Sequence, residues 1–269
     1  MSLGLGLTIV EVISPLRNGR FIAAALVVNF VLVPVVAVIA AEVVRLPNDV
    51  RIGLILIACA AGAPMIPKLV QIAKGDAATA IALVTLLIVA TAGFLPLAVP
   101  LLLPGVDVEA GTIALSLSGQ MLVPLAAGLF VRARWEEEAA EYRPAIATIA
   151  NITLVLLFLV SVGQNLSGVL DLVGTGGILA LLVVIGAAVV AGFVSAYPGR
   201  VERRVMALGA GQRNLAAAFI VANANFADQP DTLIYVATAG LIMMIVLFPL
   251  AGEFSQGRRG AACTRGDAL

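Results

Sequence analysis

Two short segments interrupt an otherwise apolar chain, and both carry the residue types that bind charged solutes. Gly209-Ala210-Gly211-Gln212-Arg213-Asn214 sets three hydrogen-bonding side chains in a row behind two glycines. Gly62-Ala63-Pro64-Met65-Ile66-Pro67-Lys68 holds two prolines three residues apart, which a regular helix does not continue through. Broken backbone leaves N–H and C=O groups without helical partners, and at membrane depth these are tolerated only where protein, water or a ligand satisfies them. Half-helix N-termini then attract anions, and exposed carbonyls attract cations. The chemistry to expect is reversible binding of a charged solute. Bond-making chemistry is not expected, because the chain has no histidine, no paired acids in its apolar segments and no serine with a plausible base. Cys59 lies in an apolar run and Cys263 in the polar tail, so neither zinc ligation nor a disulfide is expected.

The elements that must position these residues are membrane helices. Of 269 residues, 61% are apolar and 12% charged, with a mean hydropathy of +1.10; soluble domains average about 45 to 50% and roughly 25%. Sixteen basic and sixteen acidic residues balance, which leaves no surplus charge for nucleic acid. The partners implied are lipid and a small solute. Crossing the hydrocarbon core takes about 20 apolar residues, and seven stretches qualify: Phe21 to Ala41, Ile52 to Ala73 (interrupted), Ala77 to Leu103, Thr112 to Val131, Ala145 to Val162, Gly177 to Tyr197 and Leu233 to Ala251. Met206 to Ala224, interrupted at Gln212-Arg213-Asn214, makes an eighth crossing of a broken kind, while Ser2 to Ser14 is too short to span. Threading eight crossings gathers Arg17, Arg20, Lys68, Lys74, Arg132, Arg134, Arg143, Arg200, Arg203, Arg204, Arg258, Arg259 and Arg265 on one side, against Arg45 and Arg51 on the other. Since cytoplasmic loops retain Lys and Arg, the C-terminus is expected in the cytoplasm, with 252–269 as a tail that is polar and disordered from Ser255. No cleavable signal peptide is evident.

Shifting the sequence by 147 residues brings Gly62-Ala63 onto Gly209-Ala210 and Val89-Ala90-Thr91-Ala92-Gly93 onto Val236-Ala237-Thr238-Ala239-Gly240. The chain therefore reads as one transmembrane domain, 1–269, of two repeats, about 1–103 and 112–251. With the topology above, the first broken crossing enters from outside and the second from the cytoplasm, so the repeats are inverted. Inverted repeats with a Gly/Pro-broken helix in each half describe secondary transporters whose site lies between the breaks near the midplane. An arginine at the centre of a membrane helix costs at least about 2.5 to 3.5 kcal/mol, so Arg213 is expected to face a cavity or a partner.

With Asn29-Phe30-Val31-Leu32-Val33-Pro34 upstream, Ala73-Lys74-Gly75-Asp76 after the first break and Gly211-Gln212-Arg213-Asn214-Leu215-Ala216 downstream, most of the chain resembles the bile acid:sodium symporter family. The resemblance implies an all-α, polytopic fold of two inverted five-helix repeats, with a panel and a core whose two broken helices cross, and import of an organic anion with sodium across the plasma membrane. Against that template the chain starts late, Ser2 to Ser14 resembling the end of the second helix. Asn29 and Gln212 fall at positions of amides that help bind sodium. Leu208 stands where an acid is expected, Ile66-Pro67 where a Ser-Asn pair is expected, and Ala80 and Val84 where hydroxyls are expected. A sodium site needs about five or six oxygens and a carboxylate to balance the charge, so these departures tell against full sodium coupling.

The expectations for individual residues follow. Arg213 and Asn214, with the half-helix amides around Pro64, Met65 and Ile66, hold a carboxylate. Gln212 and Asn29 supply oxygens to a cation, sodium being the only ion expected and no other cofactor. Gly62, Pro64, Pro67, Gly209 and Gly211 permit the breaks. The alternative for Arg213 is that it snorkels toward the cytoplasmic face or only pairs with a carbonyl, and its fixed charge could also replace a cation. Asp76 reads as the N-cap of the next helix, Lys68 as a solvated charge on the cytoplasmic half-helix, and Gln120 and Asn151 as helix-to-helix glue. The rival to a sodium symporter is an uncoupled carrier or a transport-inactive homologue.

Overall fold

The computed structural model describes residues 19–104, 110–164, 171–172, 174–196 and 199–266. The expected partial helix Ser2 to Ser14 lies outside these residues, as do Asp107 and Glu109. Among the described residues the chain is helix joined by short turns, without strands. In order these are α1 (Gly19–Val44), the half-helices α2 (Asn48–Cys59) and α3 (Ile66–Ile72), α4 (Ala77–Leu102), α5 (Ala110–Arg134), α6 (Glu136–Gln164), α7 (Gly177–Ser195), the half-helices α8 (Arg200–Gly211) and α9 (Leu215–Asn225), and α10 (Pro230–Gly266). Among the described residues, α1, α4, α5, α7, the pair α8 and α9 from Glu202, and α10 to Gln256 are long and apolar enough to cross a membrane. This is an integral, multi-pass membrane protein. The expected crossing Ile52 to Ala73 is the pair α2 and α3, and Ala145 to Val162 lies within α6. The tail differs from expectation in that helix α10 continues from Ser255 to Gly266, although Gly257 and Gly260 lie within it.

Local chemistry sets the helix ends. Arg45 in the left-handed conformation closes α1, its N–H donating to Ala41 and Glu42, and Pro47 opens α2, whose first turn carries Asp49 against the positive end of the helix dipole. Asp76 caps α4: its carboxylate accepts from the Ala78 and Thr79 amides and the Thr79 hydroxyl. Two long helices widen in mid-span into single π turns, Val28–Leu32 in α1 and Ser118–Leu122 in α5, each followed by a proline, Pro34 and Pro124. A proline in a helix leaves the carbonyl four residues earlier without its amide partner, and a wider turn is one way to absorb the mismatch.

Helices α1 to α4 and α7 to α10 pack into one buried body, with α5 lying against α4 and α9, and α6 against α5 and α10. Within the body α2 packs on α9 and α3 on α8, so the two broken helices cross in opposite directions, as inverted repeats require. Their spacing corrects the sequence register. The first half-helices start at Asn48 and Arg200, 152 residues apart, and the long helices that follow start at Ala77 and Pro230, 153 apart. The 147-residue identities therefore do not mark equivalent positions; Ala- and Gly-rich helices repeat such short words by composition.

The first break also lies earlier than expected. It runs from Ala60 to Met65, with Ile66 and Pro67 in the first turn of α3, where a proline's missing N–H is an orphan in any case. Gly62 is a true break residue, with φ +80°, and an added Cβ would sit 2.6 Å from the Ile88 backbone nitrogen. Gly209 and Gly211 are not break residues. Both lie within α8, where a Cβ would come 2.6 Å from Leu83 of α4 and 2.6 Å from Val189 of α7, respectively, so they allow close packing.

The Asp76 cap gives a pH-dependent prediction. The Thr79 hydroxyl, followed by the Thr79 and Ala78 amides, holds the Asp76 carboxyl below its ordinary pKa. Its stabilisation is therefore present above the ordinary carboxylate value and lost as pH falls through the lowered one. Asp76→Ala should lose about 1 kcal/mol of stability at neutral pH. Asp76→Asn should keep the cap and lose that acid sensitivity, as thermal unfolding in detergent across pH would report.

Candidate functional site

The candidate site is the point where the two broken helices meet, and its geometry follows from orphaned backbone groups finding partners across that meeting point. The Asn214 amide donates to the Ala60 carbonyl at 2.8 Å, and its side-chain nitrogen donates to the Gly62 carbonyl at 3.1 Å. The same side chain's oxygen caps α9 by accepting from the Ala217 amide at 3.1 Å. On the other flank the buried Thr91 hydroxyl of α4 accepts from the Ala61 amide and donates to the Ala61 carbonyl, each at 3.0 Å. Three successive residues of the first break are thus tied to residues 214 and 91.

Arg213 occupies the opposite side of the crossing. It is 1% exposed, and its five N–H donors meet five oxygens. Nε donates to Ile57 at 3.3 Å, Nη1 to the Asn29 side chain at 2.6 Å and to Ala210 at 3.2 Å, and Nη2 to the Asn29 carbonyl at 3.3 Å and to Ala58 at 2.5 Å. Ile57 and Ala58 are in the last turn of α2, and Ala210 in the last turn of α8. One guanidinium therefore closes the carbonyl ends of both half-helices. Asn29 lies in the π turn of α1, fully buried, its side-chain nitrogen donating to Ala25 at 2.9 Å.

This arrangement redistributes the expected roles. Every Arg213 N–H is taken up by a protein oxygen, whereas its expected place was among the anion ligands. Asn29, expected as a cation ligand, has both its oxygens accepting from Arg213. The Ile66 amide donates to Ala63 at 3.1 Å and its side chain is buried, so Ile66 does not face a solute either. Gln212 is 5% exposed, and its side chain has no hydrogen-bond partner among the described residues.

Pro64, Met65 and Asn214 do face open space. A cavity of about 170 Å³ is lined by Pro64, Asn214, Ala216 and Ala217 on the core side and by Gln120, Met121 and Pro124 of α5. A second cavity, about 750 Å³, lies between α3 and α6 and is lined by Pro64, Met65, Pro67, Lys68, Gln71, Arg143 and Thr148, with Phe248 of α10. Pro64 borders both. Lys68 is exposed on α3 as expected, and neither it nor Arg143 has an ion-pair partner among the described residues. Gln120, expected as helix glue, instead stands at the smaller cavity on the α5 π turn. The side chain of Asn151 lies outside the described residues. Sequence reasoning missed Arg143 and Gln120 as wall residues; the repeated Leu-Val-Pro at 32–34 and 122–124 was the available signal for the two widened turns.

Crossed half-helices beside cavities between a core and two flanking helices are the architecture expected of a carrier, and the comparisons with known proteins agree. The model of the Sodium Bile acid symporter family matches residues 1–172, well over half the chain. The chain belongs to this family. Among curated symporter-like relatives, the uncharacterized sodium-dependent transporter YocS of Bacillus subtilis (strain 168) is 25% identical over 214 residues, covering 74% of this chain and 63% of that protein. The probable sodium/metabolite cotransporter BASS3, chloroplastic, of Arabidopsis thaliana is 25% identical over 183 residues, covering 68% of this chain and 42% of that protein. The chain thus spans between about two fifths and just under two thirds of the length of these two symporter relatives.

Two substitutions test the crossing. Thr91→Val leaves both polar groups of Ala61 buried without that partner and should lower stability by about 1 to 3 kcal/mol. Gly62→Ala meets backbone at 2.6 Å and should leave little monodisperse protein after extraction, whereas Gly93→Ala, with open space at its Cβ, should behave as wild type in size-exclusion chromatography.

Proposed function

We propose that the chain is a secondary carrier of a small organic anion that works by alternating access, with the anion bound between Pro64, Met65, Asn214 and Gln120 and admitted past Lys68 and Arg143. The observation that carries this reading is the pair of cavities meeting at Pro64, one against the N-terminal end of α9 and the other lined by two cations without ion-pair partners among the described residues. The first turn of α9 contributes the favourable end of a helix dipole, and Lys68 and Arg143 raise the local concentration of anions. The Gln120 amide adds a hydrogen-bond donor to an otherwise apolar wall. Such sites are mostly apolar with a few convergent polar groups.

The topology belongs to the same reading. The side rich in Lys and Arg, onto which the larger cavity opens, is cytoplasmic, the C-terminus is cytoplasmic, and the membrane is the plasma membrane. Family membership supports carriage over catalysis. Sodium enters from the relatives' names; Gln212, whose amide makes no hydrogen bond among the described residues, offers one oxygen where a sodium site needs about five or six. The second reading, an uncoupled carrier or a transport-inactive homologue, is favoured by Arg213, which takes up the carbonyls and the Asn29 oxygen that a cation would use.

Thermal stability of the purified protein in detergent, across a panel of mono- and dicarboxylic acids, tests the anion site. A bound acid should raise the midpoint in proportion to its saturation. Lys68→Gln combined with Arg143→Gln should weaken that acid about tenfold, equivalent to about 1.4 kcal/mol, and leave the ligand-free midpoint near wild type. Equal affinity in the double variant would remove the two cations from the site, and no response to any acid would favour the inactive homologue.

A further inference from the structure

We propose that Arg213 is a tethered cation, its guanidinium standing at the crossing where the carbonyl ends of α2 and α8 would otherwise hold a mobile monovalent cation. The position is defined by oxygens. The Ile57, Ala58 and Ala210 carbonyls end two half-helices that approach from opposite directions, and the Asn29 carbonyl and side-chain oxygen complete the set from the π turn of α1. Converging C-terminal carbonyls concentrate negative potential, and buried C=O groups without a donor are costly. The Ile57 carbonyl also accepts from the Ala60 amide at 3.2 Å, and a cation satisfies the set as a whole. Such a cation either dissociates or does not.

The chain supplies the second kind. A guanidinium remains charged at any physiological pH and presents five donors in a rigid fork. All five are used, and the group is 1% exposed, so no oxygen of this set is left open to a solute ion. The tether also accounts for the surroundings. Leu208 lies one turn of α8 before Gln212, fully buried and uncharged, so no carboxylate faces the guanidinium from that turn. Because the charge cannot leave, the crossing has one electrostatic state, and binding at the anion cavities is not linked to loading of an ion at this position. As far as it concerns coupling, the inference rests on the carrier reading above. Its test reads folding stability alone, so either can fail without the other.

The test compares thermal midpoints of the purified wild type, Arg213→Ala and Arg213→Lys in choline, sodium and guanidinium chlorides at matched millimolar concentration. Wild type should have the same midpoint in all three. Arg213→Ala leaves five buried acceptors around a small void and should melt lowest in choline, recovering by about 5 °C or more in guanidinium or sodium as the ion binds only the folded state. Arg213→Lys, with the charge but a single nitrogen, should melt between the two in choline and gain less from added cation; if Arg213→Ala cannot be purified, this variant carries the same contrast. A sodium-dependent rise in wild type would overturn the proposal. So would an Arg213 variant that melts like wild type in choline and is indifferent to every cation.

Discussion

The structure depends on one constraint: two helices are broken at membrane depth, and every backbone group exposed by the breaks must find a partner without help from bulk water. Arg213 meets most of that requirement on the carbonyl side. It links α1, α2 and α8 through five hydrogen bonds, each of the charge-assisted kind that contributes about 1.5 to 3 kcal/mol. They offset the penalty of at least about 2.5 to 3.5 kcal/mol for placing an arginine at the centre of a membrane helix. The π turn of α1, the cap of α9 by Asn214 and the brace of Ala61 by Thr91 are arranged around the same point.

The crossing consequently has two unlike faces. On the carbonyl face the Arg213 donors and their five acceptors satisfy one another. On the amide face Pro64 and Asn214 border open space, and the surrounding walls come from α5, α6 and α10, with Lys68 and Arg143 where the larger cavity widens. Arg213 lies behind the crossing, and Lys68 and Arg143, which have no ion-pair partner among the described residues, line the larger cavity before it.

Much of this was legible in the sequence, and the exceptions have physical reasons. Composition and basic-residue placement are one-dimensional signals, so the helices and the existence of both breaks could be read directly. The polar triplet Gln212-Arg213-Asn214 coincides with the gap between α8 and α9. The first break was placed too late because proline disfavours a helix interior yet suits a first turn, and Pro67 is of the second sort. Gly209 and Gly211 were read as hinges, but a glycine in a packed helix can equally mark close approach, which depends on neighbours about 125 and 20 residues away, Leu83 and Val189. The role of Arg213 turned on partners up to 184 residues distant; the sequence posed the alternatives of cavity or carbonyl and could not choose. Arg143 and Gln120 gave no local signal because only the docking of α5 and α6 brings them to the cavities.

The two proposals taken together, an anion carrier and an Arg213 that stands where a mobile cation would, rest most directly on anion movement that needs no sodium. Counterflow into proteoliposomes, with an unlabelled organic acid inside, the labelled acid outside and choline replacing sodium on both sides, measures it. Transient accumulation of label, equal in choline and in sodium, is the predicted result. Accumulation that appears only when sodium is present would contradict it.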